Sequence, residues 1–482
     1  MAKKTQRAKG KNFNKPKNYS NHGASKQKIV FNGLDDRLKS VNTDLGKDVK
    51  KTLMARSREL WMGSPLATGA LKKLRTSVIG SGLRLKSTID NSILGLSDKE
   101  KQQVENQIEN VFKLWAETTQ CDIQRTSNFY QIQQLAFLTS LIDGECFVLM
   151  PFKKKPGEIF ELKIQLIESE RCMTPPEEQS NNKIKNGVEL DEDNCPIAYH
   201  FCDDPYTLSK KIFRRVEAFG SITGRRNVLM ILEKERIGQQ RGIPILAPVI
   251  ETLLQLGRYT HSELTAAVVS SYFTVFIENE NENKDGGFGE PIEENQEKDF
   301  SSKNIEMGPA TVTELSPGQK INLANPTRPN TAFDGFVKAM AIQIGAALEL
   351  PHDVLLSKFD SSYSASRAAL LEAWKMYRMR RSWMIADFCN PIFAEFMDEA
   401  VARGFIKAPQ YFKNPLIRQA YLNCKWYGAT QGQIDPLKEV AAAKIRIETG
   451  LSTKSREIME LYGDDYNEVM AQSKIEKEGI DA

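Results

Sequence analysis

Residues 351–374 read PHDVLLSKFDSSYSASRAALLEAW. The stretch joins two helical patterns, one from Phe336 to Leu350 and one that continues to about Ala402. Between them, Lys358 to Ser366 is polar and rich in Ser, without the Gly or Pro that makes a tight turn. Ser364 or Ser366 is placed to cap the second helix, where a hydroxyl satisfies free N–H groups of the first turn. Taken alone, the stretch reads as a helix–helix connector.

Working outward, the chain changes period twice. Upstream, Ser64 is a good N-cap with Pro65 at the first helical position, followed by an apolar face of Leu66, Ala70, Leu74 and Val78. The next helix opens on a capping box, Ser97-x-x-Glu100, and carries Val104, Ile108, Val111, Phe112 and Trp115 at amphipathic spacing. A third helix is predicted from about Phe129 to Leu141. Strands are predicted at Cys146 to Phe152, Leu162 to Ile167, Ile197 to Phe201 and Asn227 to Leu232, where the pattern changes toward period two, with Leu162, Ile164 and Leu166 pointing one way. From Pro248 to Ile277 the pattern is helical again and apolar around much of its circumference, about 45 Å long at 1.5 Å per residue, with Gly257 as a weak point. Core burial explains that breadth, and so does a neighbouring subunit. Residues 278–309 are acidic and poor in apolar side chains, an exposed loop by composition. A short strand at Thr311 to Leu315 precedes the turn Ser316-Pro317-Gly318. After Arg367 a helix is expected to break at Asn390-Pro391 and end at Gly404. The remainder, 408–482, reads as helical, with caps at Asp435 and Asp465.

The segment Phe359 to Trp374 resembles the D-F-S-x-x-N-Y-S-S-A-R segment of the lambda-type bacteriophage portal proteins. Other blocks of that family follow in order: Ser64 to Ala67, Val78 to Leu83, Asp143 to Val148, Asn186 to Asp191 with Pro196 to His200, Arg236 to Pro244, and Leu315 to Gly318. The likeness runs from about Lys50 to Pro409. It departs at Met230, where relatives often carry His, at Ile237, often Pro, and across residues 280–314.

The resemblance implies an α+β portal-protein fold with an α/β wing, a long-helix stem, a small α/β clip and a helical C-terminal crown, assembled as a cyclic ring. It implies a disordered basic arm over 1–45, the wing over 46–245, a stem helix over 246–278, the clip over 279–330, a second stem helix over 331–350, a tunnel loop and long wing helix over 351–407, and the crown over 408–482. Such rings, usually of twelve copies, sit at one capsid vertex of the virion and pass double-stranded DNA without reading its sequence, inward during packaging and outward at ejection. The implied partners are the terminase large subunit, the major capsid protein and scaffold, and head-completion or tail adaptor proteins. The implied place of assembly is the host bacterial cytoplasm, with no membrane. In this family the link after the second stem helix projects into the channel as the tunnel loop, which here matches about His352 to Ser366. Lys358, Ser361, Ser362 and Ser364 are therefore expected to approach passing phosphates, and Tyr363 and Arg367 to anchor the loop.

Composition is compatible with this reading and excludes several others. The chain has 482 residues, length for about three domains, with 40% hydrophobic and 27% charged residues. Its net charge of +4 balances 66 basic against 62 acidic residues, so charge alone does not point to nucleic acid. The first 34 residues carry basic side chains and no acidic one, a composition for weak polyanion contact. No signal peptide fits the start, and the longest apolar run, Ala266 to Ile277, is short of the ~20 residues that span a bilayer. The seven cysteines are scattered without a C-x-x-C pair, so neither a zinc site nor a disulfide framework is indicated. No phosphate-cradling G-x-x-x-x-G-K-[ST], dinucleotide G-x-G-x-x-G or metalloprotease H-E-x-x-H is present. No cofactor is expected. The competing reading is a metal-dependent nucleic-acid-processing enzyme, with Asp143 and Glu145 as ligands. Against it, Asp and Gly are common at a helix-to-strand turn for backbone reasons. The Arg236–Arg241 cluster is expected to hold domains or subunits together rather than to bind phosphate.

Overall fold

A computed structural model of the chain describes residues 29–31, 33–35, 37–208, 210–271, 275–279, 319–323, 332–359, 362–431, 435–463 and 466–480. The basic arm up to residue 28, most of the 279–330 insertion with its expected strand and turn, Ser361, and the cap expected at Asp465 lie outside these residues.

Helices come first. α1 (Val41–Asp44) is capped by Ser40, and α2 (Lys47–Gly63) leads directly to α3 (Pro65–Val78), whose Ser64 cap accepts from the Ala67 amide. The buried stripe of α3 is Ala67, Ala70, Leu71, Leu74 and Val78, with Leu66 at its half-buried margin. β1 (Arg84–Ser87) and α4 (Asn91–Leu94) precede α5 (Asp98–Ala116), where both reciprocal bonds of the Ser97–Glu100 box are made. α6 (Phe129–Asp143) has a second such box, from Asn128 and Gln131, and stops at Gly144 with φ of 87°. A Cβ on Gly144 would lie 2.4 Å from the Ile243 carbonyl carbon, so only glycine permits this turn against that loop.

The sheets follow. β2 (Glu145–Leu149) is the middle of a three-stranded antiparallel sheet, flanked by β3 (Gln165–Ile167) and, from later in the chain, Val228–Leu232. Between these lie β4 (Ile184–Lys185), β5 (Val188–Leu190), β6 (Pro196–Cys202) and β7 (Phe213–Glu217), a four-stranded antiparallel sheet in chain order. Val228–Leu232 is β8. The period-two alternation of β2 serves two cores at once. Cys146 and Val148 face the large helical core, whereas Phe147 and Leu149 face a smaller one with Tyr199, Phe201 and Val188. A strand covered on both faces reads as an unbroken apolar run, as Cys146 to Met150 does.

The large core is organised on Phe112 of α5. Its ring meets Phe129, Phe393, Phe396 and Trp426 edge-on at centroid distances of 5.6, 5.7, 5.1 and 5.8 Å. Each such pair contributes about 0.5–1.5 kcal/mol beyond its buried area. The cluster gathers α5, α6, a C-terminal helix and a C-terminal strand that are far apart in the chain.

α7 (Ile250–Ser271) is 22 residues long, about 33 Å, and runs through Gly257 without interruption. Here the expectation of a helix to Ile277 is corrected. The chain re-enters as β9 (Val275–Asn279), paired antiparallel with β10 (Gln319–Leu323). The run Tyr272 to Ile277 is β-branched or aromatic throughout, a composition that favours extended backbone. α8 (Phe333–Ala347), α9 (His352–Leu356) and α10 (Tyr363–Met384) follow. The break expected at Asn390-Pro391 is also corrected. A π-helical turn at Ile385–Cys389 carries α10 directly into α11 (Asn390–Ala402), and this wider turn accommodates the proline. Gly404 takes a positive φ of 76° just past the helix, as expected.

The last segment is not purely helical. α12 (Pro415–Tyr421) leads to β11 (Cys424–Tyr427), which pairs antiparallel with β1 and brings Trp426 into the large core. Then come α13 (Pro436–Glu448), capped by Asp435, α14 (Lys454–Leu461) and α15 (Tyr466–Ile480).

Candidate functional site

The segment from α9 to α10 is built by local capping. Pro351 precedes α9, and Ser357 closes it in the left-handed region with φ of 54°. The Ser357 and Lys358 amides donate back to the Val354 and Asp353 carbonyls at 3.3 and 3.1 Å. His352 Nε2 lies 2.9 Å from Asp353 Oδ1. The loop expected from His352 to Ser366 is therefore shorter, since residues 352–356 form α9 and α10 starts at Tyr363. The cap of α10 is Ser362, whose Oγ accepts from the Ala365 amide at 3.4 Å, not Ser364 or Ser366.

The proposed phosphate-facing side chains fall as follows. Lys358 is exposed, one residue beyond the turn. Ser362 is exposed and engaged as the cap. Ser364 is exposed in the first turn of α10. Tyr363 opens that helix, and Ser361 lies outside the described residues. Arg367 is exposed one turn along and borders a groove of about 440 Å³ between α10, the 428–431 segment and α13. The structure thus brings Lys358, Ser362, Ser364 and Arg367 onto one short, solvent-facing stretch at a helix N-terminus, where free N–H groups favour anions.

Three cations around this stretch have no local sign in the sequence. Lys73 of α3 donates to the Val354 and Leu355 carbonyls, the latter at 2.7 Å. Arg381 of α10 donates to the Val78, Ser77 and Ala429 carbonyls at 2.8, 2.9 and 2.8 Å, and burial lowers its guanidinium to about 10. Buried Arg380 lies 3.3 Å from both Glu233 and Glu349, joining β8 and the end of α8 to α10.

The alternative metal ligands are occupied otherwise. Arg58 of α2 grips Asp143 through Nε and an amino group at 2.7 and 2.6 Å, and also holds Glu170. Glu145 is fully buried and accepts from Arg241 Nε at 2.7 Å, Ser169 Oγ at 2.5 Å and the Gly242 amide at 2.6 Å, with Lys50 Nζ at 3.0 Å. Burial opposes its charge, yet Arg241 and Lys50 hold the carboxyl down to about 2. Burial lowers the Lys50 pKa, against the raising effect of Glu145. Among the described residues no group of three or more His, Cys, Asp or Glu is placed to hold a metal. Arg236 pairs with Asp44 at 2.7 Å, so both ends of the Arg236–Arg241 cluster make contacts within the chain.

Residues 31–381 match the family model described as phage portal protein, lambda family. The chain is 25% identical over 439 residues to portal protein B of Escherichia phage lambda, with 87% of this chain and 82% of that protein covered. It is likewise 25% identical over 439 residues to the portal protein of Escherichia phage N15, with the same coverage. Among solved structures it is similar to the neck of an empty GTA particle computed with C6 symmetry, at 12% identity and a TM-score of 0.48, covering 85% of this chain and 92% of that one. The neck of a native GTA particle computed with C12 symmetry gives 12% identity and a TM-score of 0.45, covering 86% and 93%.

Proposed function

The chain belongs to the lambda family of phage portal proteins, and from that premise we propose how its parts serve a DNA-conducting ring at one capsid vertex. As a portal protein it is a structural connector rather than an enzyme. Copies associate head-to-tail into a closed ring, twelve being the count the resemblance implies. The ring admits double-stranded DNA driven by the terminase, retains it, and later seats head-completion or tail proteins. Assembly takes place with the capsid protein and scaffold in the host cytoplasm. Among the described residues, no helix is long and apolar enough to cross a membrane.

Residues 46–245 are assigned to the wing, 246–278 and 331–350 to the stem, 279–330 to the clip, 351–407 to the tunnel loop and long wing helix, and 408–482 to the crown. One observation carries the ring besides the family match. In the single chain, Leu264 and Val268 of α7 and Phe336 and Ile342 of α8 are 63%, 45%, 44% and 46% exposed. Large apolar side chains left in water along a helix pair favour cover by another subunit. Multi-angle light scattering is expected to give particles many times the 54.4 kDa chain, and class averages down the axis a central hole of about 20 Å or more, the width of duplex DNA. A monomer at every salt and protein concentration would overturn the ring.

Within the ring, the 357–367 stretch is assigned to the channel wall, with Lys358, Ser361, Ser362 and Ser364 toward phosphates and Tyr363 and Arg367 holding the stretch to its own or a neighbouring subunit. Contacts to backbone phosphates are sequence-independent and salt-weakened, which lets DNA slide. Particles bearing Arg367→Ala are expected to lose ring stability more than DNA handling.

A further inference from the structure

We propose that Lys73 is the positioning residue of the DNA-facing stretch, a wing lysine that sets where Lys358 stands. The proposal rests on the reading of the 357–367 stretch as channel wall. Lys73 lies on α3, in the middle of a helix whose other side is buried in the large core. Its ammonium donates to two carbonyls in the last turn of α9, those of Val354 and Leu355. The Val354 carbonyl also accepts from the Ser357 amide at 3.3 Å, so Lys73 adds a second donor there and bonds the adjacent Leu355 carbonyl where α9, only five residues long, is turned off by Ser357 in the left-handed region. A cation at this end also meets the negative end of the helix dipole.

The same α3 also holds α10, at Arg381, 14 residues beyond Arg367. Its own C-terminal carbonyls, Ser77 and Val78, accept from Arg381 of α10. One rigid wing helix therefore grips the element before the stretch through Lys73 and the element after it through Arg381. The chain between them, Lys358 included, is suspended from two points on one strut. Lys73 is half-buried, and burial lowers its pKa, which fits a cation placed to bond carbonyls rather than to meet DNA. A lysine is suited to this geometry, since a single ammonium with three donors can reach two adjacent carbonyls.

The test compares Lys73→Met, which keeps the stem and removes the donors, with Lys73→Arg, which restores them. In the full-length protein without DNA, hydrogen exchange is followed at the Ser357 and Lys358 amides, whose bonds read the end of α9. Lys73→Met is expected to speed exchange at these two amides about tenfold, the scale of one charge-assisted hydrogen bond, while α5 amides are unchanged and Lys73→Arg returns most of the protection. Unchanged exchange in Lys73→Met overturns the proposal. Faster exchange throughout the chain overturns it too, since that is a loss of fold rather than of position. A second arm places a photo-crosslinker at position 358 and measures its yield to packaged DNA. A several-fold lower yield in Lys73→Met, restored in Lys73→Arg, supports the proposal, and an equal yield overturns its DNA-facing part. If position 358 fails to cross-link in the parent as well, the channel-wall reading falls, and the exchange arm still decides whether Lys73 holds the turn.

Discussion

Two polar regions of the molecule lie at opposite extremes. Around Glu145, a carboxylate, two cations, a hydroxyl and a backbone amide are shut away from water and bonded to one another. Around Lys358, a lysine and several serines stand in solvent, beside the Ser362 cap of α10 and the turn at Ser357. The second is continuous in sequence, whereas the partners of Glu145 come from positions 24 to 97 residues away. Burial separates them. A buried charge that loses its partner is left in a low-dielectric surrounding and destabilises the fold, whereas an exposed one loses little and remains able to meet a ligand. The first cluster is therefore a fastening of α2 and the 241–242 loop to the sheet, and the second is the place to look for contact with DNA.

The sharpest way to break this contrast is Glu145→Gln. It leaves Lys50 and Arg241 buried without the carboxylate between them. The expected loss is about 3–5 kcal/mol, read as a lower urea midpoint of unfolding. A midpoint equal to the parent's would mean that the buried cluster is no more structural than the exposed one. The pH dependence sharpens the same point. Folding holds the Glu145 carboxyl down to about 2 from an ordinary value of 4.5, so its stabilisation is complete above about 4.5 and is lost as pH falls toward 2. The parent should lose stability more steeply than Glu145→Gln when the urea midpoint is followed from pH 6 down to pH 3.

What the sequence disclosed follows the range of each interaction. The caps at Ser64, Ser97 and Asp435 act within three residues of the chain, and all three stand where they were expected. The strands of the first sheet were read from a period-two apolar pattern, which β2 itself lacks because it is covered on both faces. The helix predicted through Ile277 failed because an apolar count does not distinguish helix from strand. The β-branched and aromatic run after Ser271 was the signal. At Pro391 the expected break assumed a straight α-helix, and the π turn before it lies outside that rule. At the candidate site the exposed hydroxyls could be read from the serine-rich stretch, but the cap fell on Ser362 because α10 starts earlier than its apolar pattern. Lys73 could not be found at all. Its acceptors are 281 and 282 residues away, and nothing near Lys73 marks it.

Ser362→Ala tests the exposed side of the contrast at intermediate size. The variant removes the acceptor for the Ala365 amide and should lower stability by about 1 kcal/mol, with the loss confined to faster exchange in the first turn of α10. A loss as large as that of Glu145→Gln would place the stretch among the buried fastenings.

The smallest expected effect on folding belongs to Lys358→Glu, and it separates the two kinds of polarity most cleanly. Lys358 is exposed, and its backbone amide, not its side chain, makes the bond to the Asp353 carbonyl that shapes the turn. Reversing its charge should therefore leave the urea midpoint within about 0.5 kcal/mol of the parent and leave capsid assembly intact. The same change acts on DNA in the opposite sense. On the proposed channel-wall reading, each subunit moves from one positive to one negative charge beside a polyanion, and a ring would repeat that change at every copy. A contact too weak to matter once is then summed around the channel, and salt should modulate it over about one Debye length, roughly 10 Å at 0.1 M. Particles built with Lys358→Glu should hold shorter DNA or release it more readily, with the deficit growing as salt is lowered. The measurement is the length of DNA recovered from purified particles beside the urea midpoint of the same variant. Full-length DNA with an unchanged midpoint would show that Lys358 faces away from the channel, and a fallen midpoint would show that its side chain belongs to the fold.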